Sequence, residues 1–447
     1  MKTKKVKPYI IVRIPESIQK QMQDDLRRPH PHASERVGFL HTKSKWLDKK
    51  TVLVIATSYQ MVDDKDYLKD SSVGAKIGAD AIRSAMQCMF EHQGGCFHVH
   101  LHDHIGKPRP SGTDHKGLPG IVESLFNISK GQVTGYLILS QDCFYCAVQL
   151  AGQSKLLSAD LISVVGFPLQ LNYHQSKKQK NTTAFDRQSF LGSNAQFLFE
   201  QVRIGIVGYG GGGSHIGQQL AHIGVAHPVI FDDDQIEETN LNRLIGGGWR
   251  DVLRKLYKTA IAKRVIKSIL KHADITAVNS RWQDAPEKLH SCDIVVGCVD
   301  SYAERQQLEA ECRRYLIPYI DIGMDVYKVE EEAPAMSGQV MLTLPGSSCF
   351  WCYGFLTEEK LAKEAAKYGN VGGRPQVVWP NGILASTAVG ILVDLITGWT
   401  NRNTSNIYLE YDGNLGTIKD HIRLRFCDKN CTHYPVAEAG PVRFATL

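Results

Sequence analysis

Arg203-Ile204-Gly205-Ile206-Val207-Gly208-Tyr209-Gly210-Gly211-Gly212-Gly213-Ser214 decides the fold of this chain. A short apolar strand runs into a glycine turn, and a helical pattern follows through Ala221. Gly208, Gly210 and Gly213 satisfy G-x-G-x-x-G in the strand-to-helix setting it requires, and Gly211 is a further residue without Cβ. Missing Cβ atoms let backbone N–H groups approach phosphates at the positive end of a helix. The next strand, Val229–Phe231, ends in Asp232, 24 residues past Gly208, where the ribose-binding acid of such folds sits. From Val202 onward strand, glycine turn, helix and strand alternate, the rhythm of an α/β doubly wound, Rossmann-like sheet.

Just downstream, Asp232-Asp233-Asp234-Gln235-Ile236-Glu237-Glu238-Thr239-Asn240-Leu241-Asn242-Arg243 resembles the signature of the ThiF/MoeB and ubiquitin-activating family. The resemblance covers about residues 184 to 431. It implies an adenylyltransferase that binds ATP and magnesium and opens the α-phosphate to attack by a carboxylate. Attack of an anion on an anion needs cations and a metal. By the resemblance, Asp232 and Asp234 sit at the ribose and nucleotide, and Asn240 and Arg243 face the phosphates. Lys258 opens an amphipathic helix (Ile261, Val265, Ile269 on one face) and matches the family's phosphate-binding lysine; Lys255 and Lys263 are the alternatives if the register shifts. Asp300, after the strand Ile294–Cys298, matches the magnesium-binding aspartate, with Arg305 downstream. Phe185-Asp186-Arg187-Gln188 resembles the family's start, which implies a homodimer with Arg187 reaching into the neighbouring ATP site.

Cys349-Phe350-Trp351-Cys352 resembles the family's first zinc half-site, and Cys427-Asp428-Lys429-Asn430-Cys431 would be the second, one residue longer than usual. Four thiolates on two turns make a closed structural zinc site. Residues 353 to 426 contain no cysteine. Relatives that pass their substrate on as a thioester often carry one there. The expected reaction therefore stops at the acyl-adenylate, as in sulfur-carrier activators, or hands the acyl group to a separate conjugating enzyme. Cys292, Cys298 and Cys312 read as small core residues.

The N-terminal half carries a different chemistry. Phe97-His98-Val99-His100-Leu101-His102-Asp103-His104 is followed by Ser111-Gly112-Thr113-Asp114. This resembles the JAB/JAMM zinc motif of MPN-type isopeptidases. Two imidazoles and a carboxylate hold zinc and leave the fourth position to water; a glutamate takes that water's proton and a serine donates to the oxyanion. The expected ligands are His102, His104 and Asp114, with Ser111 as oxyanion donor and Glu35, in Glu35-Arg36-Val37-Gly38, as general base. Six residues separate His104 from Ser111, one fewer than the family spacer; the register His100/His102 leaves eight. Period-two alternation points all four histidines the same way on a strand, so the binding pair stays open. His115 reads as a non-ligand neighbour, and Cys143 and Cys146 as core residues.

Length and composition agree with two enzymes in one chain. The 447 residues exceed one ordinary core. The expected layout is an α/β JAB/MPN-type domain over 1–172, a linker over 173–183 and a ThiF-type domain over 184–447. A 43% hydrophobic and 22% charged content is that of a soluble globular protein. The net charge of +6 is spread out, which argues against a nucleic-acid surface. The lysines at 2, 4, 5 and 7 and at 177, 178 and 180 read as solvated segments. The apolar run Tyr9–Val12 is too short for a signal peptide, and no window approaches the ~20 residues of a membrane span. A cytoplasmic setting is expected, where paired cysteines bind metal rather than form disulfides. Strands are expected at 52–56, 97–102, 133–140 and 161–166, a helix at 357–368, a loop at 369–380 and a buried helix at 385–397.

Together these readings imply a partner with a C-terminal glycine: a ubiquitin-like modifier that is trimmed or removed by one half and adenylated by the other. Operons pairing such activating enzymes with JAB peptidases point by analogy to a bacterial, possibly antiphage, conjugation system. The rival readings are an activator of a sulfur-carrier protein or small peptide, and a JAB half that only docks the modifier.

Overall fold

The computed structural model describes residues 7–175, 183–327, 333–366, 375–402, 404–427 and 431–442. The chain builds two sheets. The first holds β1 (Tyr9–Pro15), β2 (Val37–Trp46), β3 (Thr51–Met61), β4 (Gly95–Leu101), β5 (Thr134–Leu139), β6 (Phe144–Gln149), β7 (Leu157–Ser158), β8 (Leu161–Val165) and β9 (Gln170–Tyr173). Their order across the sheet is β7-β6-β5-β4-β2-β3-β1-β8-β9. Helices α1 (Glu16–Leu26), α2 (Ala79–His92) and α3 (Gly112–Ile128) complete this half.

The expected strands at 52–56, 133–140 and 161–166 fall in β3, β5 and β8. The run Tyr9–Val12 turns out to be the core of β1, wedged parallel between β3 and β8. After the exposed Tyr9 its residues are buried on both faces, so they show no alternation. The expected linker lies mostly at residues 176–182, outside the described residues, as do the lysines at 2, 4, 5, 177, 178 and 180.

The second half opens with a 3-10 segment (Thr183–Leu191) and α4 (Ala195–Gln201). Strands β10 (Arg203–Val207), β11 (His227–Phe231), β12 (Thr276–Val278), β13 (Ile294–Gly297) and β14 (Tyr319–Tyr327) run parallel. β15 (Ala335–Thr343), β16 (Ile407–Asp412) and β17 (Thr417–Asp420) extend the sheet antiparallel, in the order β12-β11-β10-β13-β14-β15-β16-β17. The helices are α5 (Gly211–Ile223), α6 (Trp249–Leu253), α7 (Lys258–Ile269), α8 (Pro286–His290), α9 (Tyr302–Arg314), α10 (Glu358–Ala366) and α11 (Val378–Thr397).

The apolar helix begins at Val378, seven residues before its expected start. Pro380 falls in the first turn, where an amide N–H has no intrahelical acceptor to lose. This helix is long and apolar enough to cross a membrane by composition, yet 67% of its apolar window is buried inside the protein, against α5, β14 and β15. It reads as a core helix.

The halves share one apolar core. Ile11, Leu53, Ile55, Leu161 and Phe167 pack in the same cluster as Phe199, Val202, Ile204 and Leu289. Arg13, on β1, is fully buried and crosses the seam. Its guanidinium donates to the backbone carbonyls of Tyr315 (2.8 Å), His290 (3.0 Å) and Cys292 (2.6 Å) of the second half.

Candidate active site and metal centres

The glycine turn joins β10 to α5 at the carboxyl edge of the parallel strands. Gly208 holds φ +85°, and a Cβ there would lie 2.7 Å from the Cys298 carbonyl oxygen. Only glycine fits. Gly213 is equally constrained, since its Cβ would collide with the Gly208 carbonyl. Gly210 caps α5 and has no neighbour around its missing Cβ, so its face is open to a ligand.

Asp232 follows β11 and turns back to the glycine loop. Its carboxylate accepts the Tyr209 N–H at 2.6 Å and the Asp234 N–H at 3.0 Å. Lys258 is the first residue of α7, and its ammonium is 2.6 Å from Asp234 and 3.7 Å from Asp232. The helix forms because Ile261, Ala262 and Ile266 bury one face, and that burial points Lys258 inward. Lys255 and Lys263 are exposed. Burial pushes the Asp232 carboxyl above its ordinary range, and Lys258 works against that rise.

Asp300 lies after β13 on the same edge, and its Oδ1 accepts the Gln376 side-chain amide at 3.2 Å. The Gln376 carbonyl in turn accepts from Asn242 at 2.9 Å, so residue 376 bridges two flanks of the site. Glu364 of α10 accepts the Tyr302 and Ala303 N–H groups at the start of α9 (3.0 and 2.9 Å). The side chain of Asn240 accepts the Glu237 N–H, and Arg243 donates to the Thr239 carbonyl and Asn242. Both thus shape their own turn. Arg187 is exposed on the 3-10 segment. Arg305 is buried, donating to the Asp321 carboxylate at 3.1 Å and to the Ile322 carbonyl, so it braces β14.

In the first half the histidine run divides. β4 ends at Leu101, so period-two alternation stops before His104. The atoms that converge within 4.8 Å belong to His100, His102 and Asp114. Nε2 of His100 is 3.2 Å from Nε2 of His102, and the two rings lie 3.3 and 3.4 Å from Asp114 oxygens. His104, expected as a ligand, sits in the exposed loop with Nδ1 on the Ile105 carbonyl. The longer spacer is therefore the one that closes the set, because part of it is loop. Burial followed by His100 holds His98 neutral, its pKa lowered to about 3.

Ser111 caps α3 in a reciprocal box with Asp114: its hydroxyl accepts the Asp114 N–H at 3.1 Å, and its N–H donates to Asp114 at 2.7 Å. Its own O–H stays directed by neither bond. The box also aims Asp114 at the imidazoles. Burial opposes the Asp114 charge, but His100 and the Ser111 N–H outweigh it and lower the carboxyl pKa. Glu35 lies two residues before β2, with its N–H on the Gly74 carbonyl at 3.0 Å, close enough for its charge to act on His102. His115 is exposed.

The second cluster is Cys349, Cys352, Cys431 and His433. His433 Nδ1 lies 3.5 Å from each of the first two sulfurs and 4.0 Å from the third. Cys427, the expected fourth ligand, lies outside that set. Its thiol donates to the Arg423 carbonyl at 3.3 Å, because it ends a 3-10 turn (Ile422–Phe426) rather than a zinc-ribbon turn. His433 carries no sequence signal of its own, being a lone histidine two residues past a cysteine. Arg313 holds the Ser347 and Ser348 carbonyls and Glu309 accepts the Phe350 N–H, fixing the turn that presents the thiols.

Two imidazoles with a carboxylate fit a zinc site that leaves a position for water; three thiols with an imidazole fit a closed one. Zinc content is expected to fall by one per chain in His100→Ala and in Cys349→Ala. It is expected to be unchanged in His104→Ala and in Cys427→Ala; metal analysis of the four purified variants checks this.

Comparison with known proteins adds to the geometry. Residues 185–433 match the ThiF family. The chain is similar to ubiquitin-like modifier-activating enzyme 5 of Culex quinquefasciatus, 25% identical over 240 residues covering 50% of this chain and 54% of that protein. It is also similar to the rat enzyme of that name, 28% identical over 172 residues, 34% and 40% of the two chains. The chain spans about half the length, or less, of the curated relatives it matches. Among solved structures, E. coli MccB with ATP has a TM-score of 0.46 at 20% identity, covering 58% of this chain and 75% of MccB. PaaA has a TM-score of 0.45 at 17% identity, covering 56% and 87%.

Proposed function

Because the chain belongs to the ThiF family, we propose that it adenylates the C-terminal carboxylate of a ubiquitin-like protein with ATP and magnesium. The convergence of Lys258, Asp232 and Asp234 beside the glycine turn carries this reading. The turn's N–H groups and the start of α5 would receive the phosphates. Asp232 would exchange a backbone bond for a ribose hydroxyl, and Lys258 would turn from Asp234 to phosphate oxygen. Magnesium held by Asp300 would neutralise developing phosphate charge. A carboxylate oxygen bonds to the α-phosphorus, the bond to the β-phosphate bridging oxygen breaks, and pyrophosphate leaves with that electron pair. Arg243 and, across a homodimer, Arg187 are further cations in this reading, and Asn240 a further polar contact.

The reaction ends at the acyl-adenylate on this chain. No cysteine between residues 353 and 426 can take the acyl group. The same absence favours a second reading, activation of a sulfur-carrier protein or a small peptide. Thioester transfer to a separate conjugating enzyme would count against it.

For the first half we propose zinc isopeptidase action on the same modifier, as precursor trimming or removal from targets. The His100–His102–Asp114 set supports it. Zinc bound there would supply an acidified water. Glu35 would take that water's proton, and the Ser111 hydroxyl would donate to the oxyanion.

ATP–pyrophosphate exchange with ubiquitin-like proteins ending in glycine tests the central claim. Exchange is expected with the intact chain and a loss of more than about 100-fold with Asp300→Ala. No exchange with any such partner overturns it. In the same preparations, Glu35→Gln is expected to slow cleavage of a C-terminally extended modifier by about 10²–10⁴-fold. Unchanged cleavage removes Glu35 as the base; modifier binding without cleavage by the intact chain assigns this half as a docking module.

A further inference from the structure

The Glu35 carboxylate rests on a glycine from a distant part of the chain. A Cβ at Gly74 would lie 2.6 Å from the Glu35 carboxyl carbon, and 2.6 and 3.0 Å from its two oxygens. The three atoms nearest to that missing Cβ all belong to this one carboxylate. Backbone conformation is not the reason for the glycine. Gly74 lies outside the left-handed region, so alanine fits its φ. What the glycine supplies is room for the carboxylate.

The same residue holds the Glu35 backbone. The Gly74 carbonyl accepts the Ser34 N–H at 2.9 Å, the Glu35 N–H at 3.0 Å and the Ser34 hydroxyl at 3.3 Å. Gly74 belongs to the loop of residues 62–78 between β3 and α2, and that loop is tied down. The Leu68 N–H donates to the Lys76 carbonyl (2.8 Å) and the Gly78 N–H to the Asp66 carbonyl (2.7 Å). The Lys76 ammonium pairs with Asp70 at 2.9 Å. The Tyr67 hydroxyl accepts the Val37 N–H at 3.0 Å and donates to the Val37 carbonyl at 3.2 Å, two residues past Glu35. The Arg36 guanidinium donates to Asp64 at 2.6 Å.

A side chain at position 74 therefore meets a fixed loop on one side and a carboxylate on rotatable bonds on the other. The carboxylate yields. It moves by about 1 Å, to the ~3.5–4.0 Å of ordinary contact. A general base works within about 2.6–3.2 Å of the proton it takes. A displacement of that size costs on the order of 10²-fold in rate.

We propose that Gly74 is a positioning residue of the isopeptidase half: its missing side chain sets the place of the Glu35 carboxylate, and the 62–78 loop is the arm that holds it there. This rests on the reading of Glu35 as general base. Full-length chains carrying Gly74→Ala, Glu35→Gln and both changes test it, by cleavage of a C-terminally extended modifier and by crystallography. Gly74→Ala is expected to lower kcat by about 10–10²-fold, with KM, zinc content and thermal transition unchanged. In the Glu35→Gln background the same alanine is expected to alter the rate by less than about twofold, because the two changes act through one group. In crystals of Gly74→Ala the Glu35 carboxyl carbon is expected about 1 Å from its present place, with the hydrogen bonds of the residue 74 carbonyl kept. Wild-type kcat in Gly74→Ala beside a slow Glu35→Gln overturns the proposal and leaves Glu35 as the base. Wild-type cleavage by Glu35→Gln removes the base and the proposal with it. A carboxylate that stays in place while the loop shifts also overturns the proposal, and the crystal decides this whether or not the chain cleaves.

Discussion

Lys258→Met is expected to lower ATP–pyrophosphate exchange by about 10²–10³-fold, the scale seen when one preorganised charge partner leaves a reaction centre. Lys258 is buried, and its Nζ sits 2.6 Å from Asp234 and 3.7 Å from Asp232. It is the cation that the geometry places against the two acids, one of which accepts an N–H from the glycine turn. Without it, Asp232 and Asp234 meet the phosphates as three like-charged groups. Methionine keeps the length and the apolar packing of the stem, so α7 retains its buried face. Lys263→Met on the exposed side of the same helix is the control and should leave exchange within twofold. Exchange by Lys258→Met within a few-fold of wild type would remove Lys258 from the phosphate site and return the role to another cation.

The second large effect concerns stability. Arg13→Met is expected to destabilise the chain by about 3–5 kcal/mol, because it removes the donors from three buried backbone carbonyls. The guanidinium is fully buried and satisfies three backbone carbonyls that belong to the second half. In the variant those three acceptors stay buried without donors, at about 1–3 kcal/mol for each one left unmet. Asp293 also loses one of the two cations that oppose its burial. Because the apolar core is continuous across the seam, the wild-type chain should unfold in one transition rather than two. Arg13→Met should lower that transition and split it, with the first sheet melting earlier. Calorimetry of both chains decides this, and an unchanged single transition would show that the apolar seam alone joins the halves.

Much of this protein is legible from local sequence. The turn at Gly208 needs positive φ and close backbone packing, which only glycine provides, so its signal is local and strong. Asp232 and Asp300 follow strands and Lys258 opens a helix, all with short-range apolar patterns, and the fold brings the three to one sheet edge. β1 was not legible, because its apolar run Tyr9–Val12 is short and is broken by Arg13 and Pro15, and Arg13 finds its partners only across the seam. The start of α11 was hidden by Pro380, whose sequence signature is that of a loop but whose first-turn position suits a helix.

What the sequence by itself determined is the glycine turn, the parallel strands, the acids and lysine beside that turn, and two groups of side chains with the chemistry to hold a metal. The tertiary structure alone decided which histidines face Asp114, that His433 rather than Cys427 joins the thiols, and that Arg13 holds the seam. The physical reason is range. A turn or a helix face is fixed by residues a few positions apart, and its chemistry is written where it is used. A ligand register depends on where a strand stops, and a seam depends on carbonyls 277 to 302 residues away in the chain.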